Sequence, residues 1–510
     1  MISRVLVIAL DFLYGGMLAL LAQVALPSLG TSQEQGPIGP VWNVKVPLAS
    51  KGCPAAKGDG NNDDTAAINC FLTASAAGFV TIAFPPGTYI VTRTLTVPTN
   101  SVGLTLSGSG IGVAVIRTTS PTADVLGAAD AKLLVVSGLQ FESRIDRTSG
   151  SCIAYSGVTE YTIIDSRFID CYNTITLLAS SNGGALNRLR INLGSHVTNR
   201  GIFIQNSKVI FIRDLLVQLG TGRLGGTNAS IQLDSGTDGV TIETFQSAPV
   251  PNTGIGGGRG LWLTNTLKTK PPVYTRCNDC YIEGGTGRAN GIQIDAAWDF
   301  AFTNGYEATS LIGAEITGGT SIRFTSTVFF NNDQHGVLIT GGDRVRFELC
   351  DISDNGKQAP NTYSHINASK VTNLTVDHCQ MGNFLNNNAN PVANGIALFS
   401  SEGASLTNNS IDAAKVTTPI NDAGGTSYRR GNRFRLGTPG GLQGAATLSN
   451  GTVSVNTTEV LATDAIFLTE VPPTIDPGAV RVSSITGGKG FVITSTSATD
   501  RSRVAWEIVH

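Results

Sequence analysis

Gln232, Trp262, Gln293 and Glu315 stand at the same place in successive repeats of this chain, and Asp234 and Asp295 follow two residues later in two of them. An exposed indole can stack on the face of a sugar ring, amides can hydrogen-bond its hydroxyls, and paired carboxylates can act as acid and base. If the repeats stack as neighbouring strands, Asp234 and Asp295 have one coil between them and lie roughly 9–10 Å apart, while Asp295 and Glu315 lie roughly 5–7 Å apart. The first spacing borders that of inverting glycoside hydrolysis, the second that of the retaining kind. Asp299 and Glu307, with Glu283, are the next catalytic candidates, and Trp298 adds a second aromatic for substrate binding. A structural reading competes, because aspartates at strand ends often bind the backbone of a corner.

Other chemistries find less support. His196, His335, His365, His378 and His510 are scattered without metal-ligand spacing, so neither a metal nor a serine–histidine triad is expected. Cys277 and Cys280 form a lone CxxC, which reads as a strand-end pair packed inside rather than a zinc site. The eight cysteines permit disulfides without requiring them. The glycine-rich stretch 254–260 lacks a βαβ context and reads as a loop, and no cofactor is implied.

The elements that must carry the candidate residues are short strands. Gly201-Ile-Phe-Ile-Gln, Ser230-Ile-Gln-Leu-Asp, Gly260-Leu-Trp-Leu-Thr, Gly291-Ile-Gln-Ile-Asp, Gly313-Ala-Glu-Ile-Thr, Gly336-Val-Leu-Ile-Thr and Gly395-Ile-Ala-Leu-Phe share one pattern: a small residue, then two apolar positions around a variable one. A second alternating strand and an Asn/Asp/Gly corner follow most of them. The units return about every 20–30 residues, the range of solenoid repeats. Three strands per unit without long helices mean coils rather than βαβ units. Ile202/Ile204, Ile231/Leu233, Leu261/Leu263, Ile292/Ile294 and Val337/Ile339 then form inward ladders and the variable positions face out. Cys350 and Cys379 fall at matching places in neighbouring coils.

Ahead of the repeats, Gly58-Asp-Gly-Asn-Asn-Asp-Asp-Thr-Ala-Ala-Ile68 is followed by Phe84-Pro-Pro-Gly-Thr-Tyr89. The glycines make a tight turn, Asp63 or Asp64 can cap a new helix, and Ile68, Phe71 and Leu72 share one helix face. Residues 79–84 and 90–97 read as strands. This order resembles the N-terminal cap of right-handed parallel β-helix proteins of the pectate-lyase-like superfamily, bacteriophage tailspikes among them. The resemblance implies an all-β solenoid with a short capping helix, a polysaccharide substrate, outward carboxylates and, by likeness to tailspikes, a homotrimer. The secreted polygalacturonase branch carries Asn-Thr-Asp, Asp-Asp and Gly-His-Gly along its coils. Here Asp63-Asp64 belongs to the cap and Gln334-His335-Gly336 is a partial echo, so the tailspike-like depolymerases fit better. Calcium-dependent pectate cleavage lacks its acidic cage.

Composition agrees with this reading. The 510 residues include 60 glycines and only 3 methionines, and 14% are charged, which suits many strands and turns. A net charge of −2 speaks against nucleic acid as the main partner. Residues 1–40 read as a signal-like apolar arm and linker, the only expected route to membrane contact, with Asp11 interrupting the apolar run. Residues 41–435 read as the β-helix with its cap. Residues 436–510 read as a small β-sandwich-like domain, which the resemblance makes a trimerisation element. The expected location is extracellular, secreted or on a virion tail, not cytoplasmic. The function expected is binding and cleavage of a bacterial surface polysaccharide or exopolysaccharide, hydrolysis ahead of lyase chemistry. A non-catalytic glycan-binding adhesin or a structural virion protein is the alternative.

Overall fold

The computed structural model of the protein describes residues 39–509, apart from 194–195, 197, 220–223, 250–257, 285–288, 383–389, 413–414, 424–425, 435–442, 458–459, 461 and 472–475. The apolar arm, most of the glycine-rich stretch and the linker before the C-terminal domain lie outside the described residues.

The chain winds into a parallel β-solenoid of about 12 turns. Its first face is a sheet of thirteen parallel strands running from Leu95–Val97 to Val416–Ala423, each paired with the strand one coil away. Ile202, Ile231, Leu261 and Ile292 stand in register along this face, with Ile204, Leu233, Leu263 and Ile294 beside them, all fully buried. Burying such a side chain is worth about 1.5–3 kcal/mol, so the ladders supply much of the drive to stack.

The other two faces are bent from continuous runs such as Lys208–Leu219 and Asp238–Pro249. The bends are columns of residues with left-handed backbone. Val209, Tyr274, Asp299, Ser321, Arg344 and Asn373 mark the start of the second face, all with φ between 53° and 59°. Asp214, Thr244, Asp279, Asn304, Ser326, Leu349, His378 and Asn408 mark its end, with φ between 50° and 56°. Asp and Asn tolerate this conformation, which explains the Asn/Asp corners of the sequence. Cys277 and Cys280 flank the corner residue Asp279 and are joined by a disulfide, as are Cys53–Cys70 and Cys152–Cys171. Cys350 and Cys379 are free and buried in adjacent coils.

Inside, Phe300, Phe302, Phe324, Phe329 and Phe347 pack ring on ring. A polar row runs beside them. Asn332 Nδ2 donates to Glu307 Oε2 (2.9 Å) and to Asn355 Oδ1 (2.9 Å), and Asn355 Nδ2 lies 3.4 Å from His365 Nδ1. This row accounts for three of the glycines that open first-face strands: a Cβ at Gly291 would meet the Glu307 side chain, at Gly313 the Glu307 and Asn332 side chains, and at Gly336 that of Asn355.

The capping helix Thr65–Ala74 is the only α-helix among the described residues and buries Ile68, Phe71 and Leu72. Asp64 precedes it but makes no side-chain cap. Its oxygens accept the N–H groups of Lys57 (2.6 Å) and Gly58 (3.0 Å), while Asp63 Oδ1 accepts that of Thr65 (2.9 Å). Both aspartates are thus spent on the turn. The expected strand at 90–97 is two, Gly87–Val91 and Leu95–Val97, because it spans the passage to the first face. After the solenoid come two three-stranded antiparallel sheets around Val455, Phe491, Ile493, Val504 and Trp506.

Candidate functional site

Parallel register sets Phe203, Gln232, Trp262, Gln293, Glu315 and Leu338 side by side on the outer surface of the first face. The strand-end residues follow the same order, since the N–H groups of Asp234, Thr264, Asp295 and Thr317 donate to the carbonyls of Ile204, Leu233, Leu263 and Ile294. Three residues upstream of Phe203, Gln232 and Trp262 lie Arg200, Ala229 and Arg259.

Asp295, Glu315, Trp262 and Gln293 meet in one cluster. Trp262 Nε1 donates to Asp295 Oδ2 (2.7 Å), while Gln293 Nε2 (2.8 Å) and Thr317 Oγ1 (3.2 Å) donate to Oδ1. Arg259 lies over the Trp262 ring, 4.4 Å from its centroid, and its Nε donates to Gln293 Oε1. Asn290 Nδ2 donates to Glu315 Oε2 at 2.5 Å. Burial first, and then the Asp295 charge, raises the Glu315 carboxyl above the ordinary glutamate range, against the opposing pull of Arg259 and Asn290. Burial lowers the Arg259 guanidinium, and Asp295 and Glu315 oppose that shift. One carboxyl is thus biased toward its acid form beside another to which three donors are aimed, the division of roles that acid–base chemistry on a glycosidic bond requires.

Four candidates belong elsewhere. Asp234 does not face out: it is 1% exposed and fastened into the corner. Its oxygens accept Gln205 Nε2 (2.9 Å), Ser235 N (2.7 Å), Ser235 Oγ (3.1 Å), Thr266 N (2.8 Å) and the Thr266 hydroxyl. Burial alone would raise its pKa, but the bonds from Thr266, Ser235 and Gln205 outweigh burial and lower it. Glu307 points into the solenoid, in register with the core residues Phe329 and Ile352, and burial pushes its carboxyl up to about 8. Its strand places Tyr306 outward, so strict alternation turns Glu307 inward. Asp299 is a left-handed corner residue whose Oδ2 takes Arg276 Nη2 at 2.6 Å. Trp298 is 54% exposed but lies on the other sheet, paired with Val273 and Thr320, round a corner from Trp262. Gln232 keeps its place in the outward column yet is 0% exposed, and neither amide atom has a partner.

Two residues absent from the sequence-based set now join it. Arg200 lies over the Phe203 ring, 4.4 Å from its centroid, as Arg259 lies over Trp262. The matching Arg-Gly-Ile-Phe at 200–203 and Arg-Gly-Leu-Trp at 259–262 were the available signal. His335, the partial polygalacturonase echo, is a structural tie whose Nδ1 accepts the Ser364 N–H at 3.0 Å.

Residues 55–248 match the family model described as rhamnogalacturonase A/epimerase, pectate lyase-like. The chain carries a pectate-lyase-like domain. Residues 440–509 match the C-terminal domain of K1 capsule-specific polysaccharide lyase. No curated protein gives a significant match. Among solved structures this chain is similar to a tailspike protein of E. coli bacteriophage HK620 in complex with a hexasaccharide. Identity is 11%, 91% of this chain and 93% of that one are covered, and the TM-score is 0.55. It is also similar to the pre-mature gene product 12 of bacteriophage phi29 (15% identity, 80% of this chain, 58% of that one, TM-score 0.54). A third likeness is to the A-module of an Azotobacter vinelandii mannuronan C-5 epimerase (15% identity, 78% of this chain, 100% of that one, TM-score 0.50). At these identities the shared property is the β-helix fold. Among the described residues no helix is long and apolar enough to cross a membrane.

Proposed function

We propose that the pectate-lyase-like chain binds a bacterial surface polysaccharide or exopolysaccharide along its first face and cleaves it by hydrolysis at Asp295 and Glu315. The observation that carries this reading is the pairing of an acid-biased Glu315 with the Asp295 carboxylate held at the edge of the Trp262 indole. Trp262 stacks on a sugar ring, and Gln293 fixes both Asp295 and the Arg259 that stacks on the indole. Glu315 protonates the leaving oxygen. Asp295, diagonal to it on the adjacent coil, attacks the anomeric carbon or stabilises the charge that develops there. Asp234 is spent on the corner, so the inverting pair drawn from sequence loses its second member and the retaining pair remains. The reading extends to a homotrimer at an extracellular or virion location, supported by likeness to the tailspike and tested by sedimentation of the intact chain at micromolar concentration.

A lyase is the second reading, favoured by the match of residues 440–509 to the C-terminal domain of a polysaccharide lyase. Incubation with capsular, O-antigen and exopolysaccharides separates the cases. New reducing ends without ultraviolet absorbance indicate hydrolysis, and reducing ends with absorbance from an unsaturated sugar indicate a lyase. Tight binding without product makes the chain an adhesin and overturns the catalytic reading.

A further inference from the structure

The second face carries a group of cations that the proposed reaction does not use. In three successive coils its strands place a corner residue and, two residues on, an outward one: Ser321 and Arg323, Arg344 and Arg346, Asn373 and Thr375. Parallel register sets Arg323 directly beside Arg346, and Arg346 beside Thr375, about 4.8 Å from strand to strand. All six side chains carry hydrogen-bond donors, and together they line a cleft of about 250 Å³. Like charges directly opposite on neighbouring strands repel, so the Arg323–Arg346 pair is costly unless an anion screens it. Arg344 and Arg346 each reach a carboxylate through one nitrogen: Arg344 Nε donates to Asp343 Oδ2 (3.0 Å) and Arg346 Nη1 to Glu348 Oε1 (3.1 Å). Asp343 is further held by Thr372 Oγ1 (2.8 Å) and Asn373 Nδ2 (2.8 Å). Both ion pairs are open to solvent, where such a contact contributes little, and each leaves the rest of the guanidinium fork unused. Among the described residues nothing pairs with the exposed Arg323 side chain. Arg276, on the same column two coils back, is the contrast, since its Nη1 and Nη2 both donate to Asp299.

We propose that Arg323, Arg344 and Arg346 form a binding site for a phosphate group. A carboxylate offers two oxygens and a single charge, whereas a phosphate monoester carries close to two charges and three strong acceptor oxygens. Three guanidiniums around one cleft, one unpaired and two held by a single nitrogen each, match the second inventory, with the Ser321 and Thr375 hydroxyls at the edge. The site lies on a different sheet from Trp262 and Glu315, so it stands apart from the catalytic reading and leaves the first face free. A free phosphate ion, a phosphorylated sugar and a lipid headgroup share this chemistry, and the probes below separate them.

The test is calorimetry on the intact chain at constant ionic strength, above the second phosphate pKa of about 6. The probes are inorganic phosphate, glucose 1-phosphate and phosphatidic acid vesicles, with acetate and glucose as controls. The expected result is a single site that takes a phosphate probe with a Kd of about 1 mM or tighter and takes neither control. Arg323→Gln and Arg346→Gln should each weaken it by about 10-fold or more, while Arg276→Gln binds as the wild type does. Arg323→Gln shortens an exposed side chain that holds nothing else, so it folds, and an unchanged melting temperature checks this. The phosphate probe that binds most tightly identifies the source as the ion, the glycan or the lipid. The proposal is overturned if no phosphate probe binds, or if acetate binds as tightly as phosphate. It is equally overturned if Arg323→Gln and Arg346→Gln leave binding unchanged, or if Arg276→Gln weakens it as much as they do.

Discussion

The Trp262 indole and the Asp295 carboxylate, residues of adjacent coils, are joined by a 2.7 Å hydrogen bond from Nε1 to Oδ2. The same side chain thus offers a stacking surface to a sugar and orients a candidate reacting group. Trp262→Phe keeps the surface and removes the bond, so turnover should fall more than affinity. A kcat/KM split for Trp262→Phe against Trp262→Ala on the cleaved polymer measures this. Equal losses in affinity and turnover for both would reduce the indole to a platform.

Asp295→Asn should lower turnover by at least about 10²-fold, the usual worth of a positioned catalytic group. Folding should be kept, since the site lies outside the ladders. If the variant cleaves at the wild-type rate, the chemistry lies elsewhere, with Asp299 and Glu283 the remaining partly exposed carboxylates of the sequence-based set.

The Glu315 carboxyl is raised by burial and by Asp295, and lowered by Arg259 and Asn290. Activity that needs protonated Glu315 should fall as pH rises through this raised value, forming the alkaline limb of the kcat profile. Arg259→Gln removes a lowering influence, so that limb should move to higher pH. A limb that stays in place or moves down would show that another group sets it.

Asp234 should behave as a structural residue. Asp234→Ala strands the buried donors of Ser235, Thr266 and Gln205, a loss of about 1–3 kcal/mol or more. Because hydrogen bonds lower its folded pKa, the stability it confers is present above the unfolded aspartate value and is lost as pH falls through the folded one. Melting curves of Asp234→Ala and wild type should converge as the pH is lowered.

Glu307 gives the opposite slope. Its folded pKa of about 8 lies above the unfolded glutamate value, so the folded state holds the proton more tightly. The associated stability is complete below the unfolded pKa and is lost as pH rises toward 8. Nearby His365 opposes this at lower pH: burial pushes its imidazole down to about 3, so only the unfolded chain takes up the proton and stability rises with pH up to the unfolded histidine value of 6.5. Glu307→Gln should remove the fall of the melting temperature between pH 6.5 and pH 8, where His365 no longer opposes it. Gly313→Ala should be destabilising at every pH, because its Cβ meets the Gly336 carbonyl and the Glu307 side chain.

The inward ladders, the outward column and the N-terminal cap were legible because a strand has period two and a solenoid repeats it coil after coil. Trp262, Gln293, Asp295 and Glu315 follow from that register alone. Asp234 and Glu307 were not legible as buried, for two different reasons. The corner that consumes Asp234 is built by Thr266 and Gln205 from neighbouring coils, which no local window contains. Glu307 sits at an inward position normally filled by an aliphatic or aromatic side chain, and only the strand-opening glycines hint at the room made for it. Arg200 and Arg259 were missed because a stack on the ring three residues along is set by side-chain conformation, at which only the matching Arg-Gly-x-aromatic pattern hints.

The even spacing of the coils makes the first face a ruler. Each coil is one graduation of about 4.8 Å, and Phe203, Gln232, Trp262, Gln293 and Glu315 occupy five consecutive marks. Adding or deleting a whole coil between Phe203 and Trp262 would move the reacting pair by one mark against Phe203 while leaving the ladders continuous and the Trp262–Asp295 bond in place. Fragment length in such a protein is then a property of how many turns were kept, adjustable in whole steps without redesigning any single side chain.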